Sequence, residues 1–332
     1  MAAVRAAGVT VREFELVGSI HARIRALVRL RSAIRESDAD VIHAWMYHSG
    51  LLAFLFARNR RRVLIAIHHT NPLDAGLPRA TRVIGLGCLL ASRFSGAVVY
   101  VAEAAKIKHE HAGFSNRISC VVQVGVDETK MVPALPVART QSRQRFGVPQ
   151  DAIVVVHVAR YHRDKDQRTL LDAFGRALTK VPGMHLLLVG QGLDPDNNEI
   201  RRCLQLYNIA DNVSLIGELD STLEGFHAAD IFCLSSLTEA FPVSLVEALQ
   251  CGLVPVVTDV GECRSITEEV GFVVPPNSPQ DLADALVKAA GTARSRSTES
   301  IRDRGLDFGL SRMCDEYDDV YKKMIALSSR SH

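Results

Sequence analysis

Little net charge, no usable cysteine pattern and no clean long apolar run mark this 332-residue chain, and each absence removes a class of function. Against 39 Lys and Arg stand 37 Asp and Glu, leaving a formal charge of +2. With no global basic excess, nucleic acid is not expected as a partner. The seven cysteines, at 88, 120, 203, 233, 251, 263 and 314, are odd in number and mostly embedded in apolar runs. That suits reduced core thiols, not a disulfide framework. None falls at zinc spacing. The histidine pairs His68-His69, His109-x-His111 and His43 to His48 lack a second cluster of Cys, Asp or Glu at ligand spacing, so no metal site is expected. Met1 to Leu16 lacks the basic-then-apolar order of a secretory leader, and a cytoplasmic location is expected. The best membrane-span candidate, Val83 to Ala105, carries Arg93 near its middle, which would cost about 3 kcal/mol in a bilayer core. It reads instead as a helix followed by a strand, Ala97 to Val101.

What is present is enough apolar content, 47%, to fill two ordinary domains. Apolar runs at Val9 to Phe14, Val41 to Ala44, Val63 to Ile67, Ala97 to Val101 and Ile118 to Val122 alternate with helical stretches. After Pro133 to Gln150, rich in proline and basic residues, the rhythm restarts with Ile153 to Val158, His185 to Val189, Val213 to Ile216, Ile231 to Leu234, Val254 to Val257 and Phe272 to Val274. Alternation of this kind predicts two α/β domains, each a parallel sheet flanked by helices. Such a sheet ordinarily opens with a central strand running into a glycine-rich turn; here Ala7-Gly8 reads as the end of a first helix, and that opening strand and turn are expected to be absent. The predicted layout is an N-terminal domain at 1–135, a linker at 136–150, a C-terminal domain at 151–309 and a helix within 310–332. Met313, Tyr317, Tyr321 and Met324 share one side of that helix, which should pack back on the body. A small Ser/Arg run covers 294 to 300. Up to residue 62 the arginines outnumber the acids, eleven against five. The helix holding Arg23, Arg25, Arg29, Arg31 and Arg35 reads as a solvated face, with peripheral docking on anionic lipid as the alternative.

The chemistry concentrates in Ser235 to Pro276. An apolar strand ends in Ser235-Ser236, a loop carries Glu239, and Pro242 stands where a first helical turn needs no donor. The helix that follows is predicted to turn Val243, Val246, Ala248 and Leu249 inward and to place Glu247 one turn in, with Gly252 as its stop. Its unpaired N–H groups from Ala240 to Ser244 would attract phosphate or sugar oxygens. Two solvated glutamates on an ordinary surface helix would fit the spacing equally well. After strand Ile153 to Val158, Arg160 and Lys165 are expected at a strand's carboxyl end, where open parallel sheets bind ligands, and suit a diphosphate. Gly190 and Gly192 would either let a ligand approach the backbone or form a plain tight turn. His68, ending the strand Val63 to Ile67, is placed on the crevice side by the same strand-end rule.

The segments VIHAWMYHSGLLA at 41, IAIHHTN at 65, VAEAAKIKHEHAGF at 101, VARYHRDKDQRTLLDAF at 158, LLLVGQGLD at 186 and above all TEAFPVSLVEALQCGLVPVVTDVG at 238 resemble the family 4 glycosyltransferases, in particular the branch that builds lipopolysaccharide, capsule and other surface polysaccharides. The resemblance implies the GT-B fold, two Rossmann-like domains facing each other across a cleft. It implies a retaining, metal-independent, hexosyltransferase-type enzyme that moves a sugar from a nucleotide-sugar donor, with no cofactor, to a glycan or lipid-linked acceptor on the N-terminal side. By resemblance, Glu239 and Glu247 fill a Glu-x7-Glu motif. Glu239 would hold sugar hydroxyls beside the N–H groups of Ala240 and Phe241, Pro242 and Val243 would complete the donor loop, and Glu247 would hold the ribose. Arg160 and Lys165 would bind the diphosphate, and His68 would reach the donor sugar from the other domain. The chain departs from the family pattern at Gln123-Val124-Gly125-Val126-Asp127, at Ala159 and in the missing opening strand. A nucleotide-sugar-binding protein with impaired catalysis and a nucleotide-sugar epimerase of the same fold are the alternatives.

Overall fold

The computed structural model describes residues 2–68, 79–293 and 298–329. His69, part of the Ser/Arg run and the last three residues lie outside them. Two parallel sheets form where the apolar runs predict them. The first orders its strands β1 (Ile42–Trp45), β2 (Val63–Ile67), β3 (Ala97–Tyr100) and β4 (Ser119–Val121) as β1-β2-β3-β4. The second contains β5 (Ile153–Val158), β6 (Met184–Val189), β7 (Val213–Gly217), β8 (Ile231–Leu234), β9 (Val254–Thr258) and β10 (Phe272–Val274), in the order β10-β9-β8-β5-β6-β7. Strands β2, β3, β6, β8 and β9 are buried along their whole length. Strands covered on both faces must be apolar on both, which is why they read as continuous runs instead of alternating ones.

One expected strand does not form. Val9 to Phe14 pairs with no strand among the described residues and runs largely exposed beside the helix Ile20–Glu36, where the Arg29 guanidinium lies 6.0 Å from the Phe14 ring centroid. Its charges, Arg12 and Glu13, would have to be buried in a sheet covered on both faces, and solvent holds them more cheaply. The expected linker holds a helix, Pro136–Arg145, started by Pro136 at its first position. Arg143, 1% exposed, ties it to the second sheet by donating to the carbonyls of Ala228, Gln150 and Ala152 and to Asp230 Oδ2 at 2.9 Å.

Two of the contacts between the bodies bear most directly on how the sheets meet. The last helix, Leu310–Ser329, leaves the second body and lays Tyr317, Val320 and Met324 on Leu64, Ala66, Ala97 and Val99 of the first sheet. At the other contact Glu262, just past β9, accepts with Oε1 from the Glu103 and Ala104 N–H groups at 3.0 and 3.4 Å, capping the helix Glu103–His111 that follows β3. Carboxyl ends of β3 and β9 therefore face each other, and the cleft lies between carboxyl ends.

Candidate active site

In the second sheet β5 has β6 on one side and β8 on the other, so the chain leaves β5 and β8 in opposite directions. A reversal of strand order opens a crevice at the carboxyl ends that helices cannot fill. Four loops line it, after β5, β6, β8 and β9, and they are stitched together. Tyr161 N–H donates to Gln191 O at 2.7 Å and Leu237 N–H to Asp164 O at 2.8 Å. Ser235 Oγ donates to Lys165 O at 2.8 Å, and Thr258 Oγ1 to Ser236 O at 2.7 Å. Gly190 is needed by this stitching. At φ 139°, a Cβ there would lie 2.1 Å from the Ala159 carbonyl oxygen, and one on Gly192 would press on Tyr161 at 3.0 Å. The glycines admit the neighbouring loop, a packing reason separate from the two weighed in the sequence.

The crevice brings opposite charges into contact. Lys165 Nζ donates to Glu239 Oε1 at 2.5 Å, and Ser236 Oγ donates to the same oxygen at 2.7 Å, leaving Oε2 as the acceptor available to a ligand hydroxyl. Glu239 is buried and Lys165 half-buried. Arg160 is exposed at the loop's start, its carbonyl held by the buried Gln167 amide at 3.0 Å. Asp166, at a left-handed φ of 46°, caps the helix Gln167–Lys180 and turns the chain so that Lys165 points inward.

Beyond Glu239 the helix Val243–Gln250 begins after Pro242. Ala240, Phe241, Val243 and Ser244 N–H groups meet no acceptor among the described residues, whereas Leu245 and Val246 bond back to Pro242 O. Phe241 is buried against Phe308 with ring centroids 5.9 Å apart, so it anchors the loop and offers only its backbone. Val243, expected on the inner side, is exposed as the first helical residue; Leu245 takes the buried place with Val246, Ala248 and Leu249. Glu247 bonds through Oε2 to Thr222 Oγ1 at 3.5 Å, and burial pushes its carboxyl up from 4.5 to about 7. The two glutamates thus have separate partners and different environments.

Across the cleft, His68 follows β2, half-buried, with its ring 4.8 Å from that of Trp45, which in turn stacks on His43 at 4.4 Å. His43 Nδ1 lies 2.8 Å from Tyr321 Oη on the last helix. Burial and the neighbouring His68 lower His43 to about 4, so the ring is neutral. Sequence reasoning missed Ser236, Thr258, Thr222 and Glu262. Thr258, Thr222 and Glu262 find their partners on other elements, and only Ser236, three residues from Glu239, was within local reach. Among the described residues no group of three or more His, Cys, Asp or Glu could hold a metal ion.

Comparison with known proteins agrees with this geometry. Residues 138–296 match the model of glycosyl transferases group 1, and residues 4–130 match that of glycosyltransferase family 4. The chain is 28% identical to the D-inositol 3-phosphate glycosyltransferase of Geodermatophilus obscurus over 344 aligned positions, 96% of this chain and 74% of the relative. It is 28% identical over 284 positions to the phosphatidyl-myo-inositol mannosyltransferase of Mycobacterium tuberculosis, 83% of this chain and 69% of the relative. In fold it is similar to HepE of Anabaena, solved with UDP and glucose, with a TM-score of 0.81, 20% identity, and 99% of this chain and 88% of that one covered. Between them the two matched domains span both sheets, and the chain is a glycosyltransferase of the GT-B fold.

Proposed function

We propose that the enzyme is a retaining transferase that moves a hexose from a nucleotide-sugar donor to a hydroxyl of a glycan or lipid-linked acceptor in cell-surface polysaccharide synthesis. The observation that carries this reading is the meeting of the Lys165 ammonium and the buried Glu239 carboxylate at the strand-order reversal, beside unpaired N–H groups at a helix start. Arg160 and Lys165 neutralise the diphosphate as charge develops on it. Glu239 Oε2 and the Ala240 and Phe241 N–H groups hold the sugar hydroxyls, and Glu247 accepts from the ribose. The departing phosphate takes the proton of the acceptor hydroxyl on the face it leaves, so the reaction needs no metal. His68 meets the sugar from the facing domain. HepE, which shares the fold, is known with UDP and glucose, which favours a uridine donor. With this reading goes the division into an acceptor-side domain at 1–135, a linker at 136–150, a donor domain at 151–309 and the closing helix.

Transfer from UDP- and GDP-hexoses to a lipid-extract acceptor, followed by mass spectrometry, tests the assignment. Glu239→Ala and Arg160→Ala should each lower transfer by about 100-fold or more. Unchanged transfer in both would refute these roles. Calorimetric UDP binding with no turnover in the wild-type chain would favour a binding protein, and donor conversion without acceptor an epimerase.

A further inference from the structure

The helix Arg79–Ser92 buries one side, Gly85, Cys88, Ala91 and Ser92, in the first body. Gly87 fixes its rotation, because its missing Cβ lets Leu51 of the helix Met46–Phe56 approach to 2.9 Å of where that carbon would stand. The opposite side then has no choice but to present Val83, Leu86 and Leu90, which are 66, 51 and 60% exposed, followed by Phe94 at 65%. Steps of three, four and four residues set these in one row. Leu55 on the neighbouring helix adds another, 52% exposed. Scattered exposed apolar residues are ordinary, whereas a continuous row of this length marks an interaction surface.

Charge says what it meets. Between residues 41 and 102 the chain has Arg58, Arg60, Arg61, Arg62, Arg79, Arg82 and Arg93 against a single acid, Asp74. At 3.6 residues per turn Arg82 and Arg93 fall together on one flank of the apolar row. Where the row ends, Phe94 borders a cavity of about 540 Å³ whose wall includes Arg93 and Arg117 and no carboxylate among the described residues. A nucleic acid would use the arginines and leave the apolar row wet. A second copy of the chain, meeting the same patch across a two-fold axis, would set arginine against arginine. The helix Ile20–Glu36 is the weaker candidate: it buries only Ala26, and its exposed row Ile20, Ile24 and Val28 runs on into Arg31 and Arg35.

The geometry points to the outer face of helix Arg79–Ser92, with the arginine cavity at its end, as a docking surface for a bilayer carrying anionic phospholipid. Val83, Leu86, Leu90 and Phe94 enter the acyl boundary, and the arginines take headgroup phosphates. The surface rests on the proposed reading for its purpose, because a lipid-linked acceptor is carried in such a bilayer, yet it lies outside the donor crevice and is tested apart from it. The full chain should float with vesicles of phosphatidylcholine mixed with an equal part of phosphatidylglycerol and not with phosphatidylcholine alone. Leu86→Glu with Leu90→Glu should lower partitioning by about tenfold or more, and Arg82→Ser and Arg93→Ser by about fivefold each, less at high salt. All four residues are exposed, so the variants should keep the wild-type circular dichroism and the thermal shift given by UDP; Leu90→Ser is the milder replacement if the double variant fails to fold. Loss of vesicle binding with UDP binding intact supports the surface. Loss of UDP binding alone bears on the donor reading. The proposal is overturned if the wild-type chain ignores anionic vesicles, if the leucine variants float as it does, or if only Arg25→Ser and Arg29→Ser on the other helix release it.

Discussion

Replacing Glu247 by glutamine should make this protein more stable at neutral pH and leave it unchanged in acid. In the folded chain burial holds the Glu247 carboxyl at about 7 against an ordinary 4.5, with the Thr222 hydroxyl pulling the other way. The folded pKa is raised, so between 4.5 and 7 the folded state keeps a proton the unfolded chain has lost. Stability therefore falls as pH rises through this window. The difference, 7 minus 4.5, corresponds to at most about 3 kcal/mol at 1.36 kcal/mol per unit. Glutamine keeps the shape and cannot titrate. Urea unfolding of both proteins from pH 4.5 to 8 should show curves that coincide in acid and diverge above it, with the variant ahead by up to about 3 kcal/mol at pH 8 and its thermal midpoint several degrees higher. The other groups that titrate in this range are common to both proteins and cancel in the difference. Parallel curves, or a wild type more stable than the variant at pH 8, would refute the buried-acid argument. A ribose hydroxyl donates better to the ionised form, so UDP affinity should also rise through pH 7 in the wild type and stay flat in the variant.

Arg143→Met should destabilise the chain by about 3–5 kcal/mol in denaturant titration, because it leaves Asp230 buried without its innermost cation; Asp230→Asn added to it should recover part of the loss. Glu262→Ala removes the cap that joins the two bodies, worth about 1 kcal/mol, and calorimetry should then resolve two transitions where the wild type shows one. Gly190→Ala forces a Cβ against the Ala159 carbonyl and should weaken UDP binding by displacing the Arg160 loop, whereas Gly183→Ala, with nothing within 4 Å, should be silent in the same titration.

Strand bodies were legible in this sequence because a strand covered on both faces has to be apolar throughout. Val9 to Phe14 shows where that rule stops: a local pattern says that a segment can be a strand, and only a partner elsewhere in the chain makes it one. Strand order is equally non-local. Nothing near β5 or β8 announces that they are neighbours, yet their adjacency creates the crevice. Arg160, Lys165, Glu239 and Glu247 stood out as charges at strand ends and helix starts, which sequence does record. The Lys165–Glu239 pair, 74 residues apart in the chain, and the Glu262 cap, 159 residues from Glu103, could not be seen before the fold was known. Val243 was misplaced for a smaller reason: helical periodicity fixes a face only after the first residue of the helix is known.

On the proposed reading, the pairing of Lys165 with Glu239 lets one small crevice serve both ends of a nucleotide sugar. An ammonium has three donors, and Glu239 takes one, so two remain for phosphate oxygens without breaking the pair. A carboxylate has two oxygens, and Lys165 and Ser236 both use Oε1, so Oε2 remains for a sugar hydroxyl. Without Lys165 the buried Glu239 would face the full cost of an unpaired charge. Each member of the pair therefore offsets the cost of burying the other. On that reading the ion pair sets the spacing between the phosphate and sugar ends of the site, and the hydrogen bonds among the surrounding loops hold the pair in place.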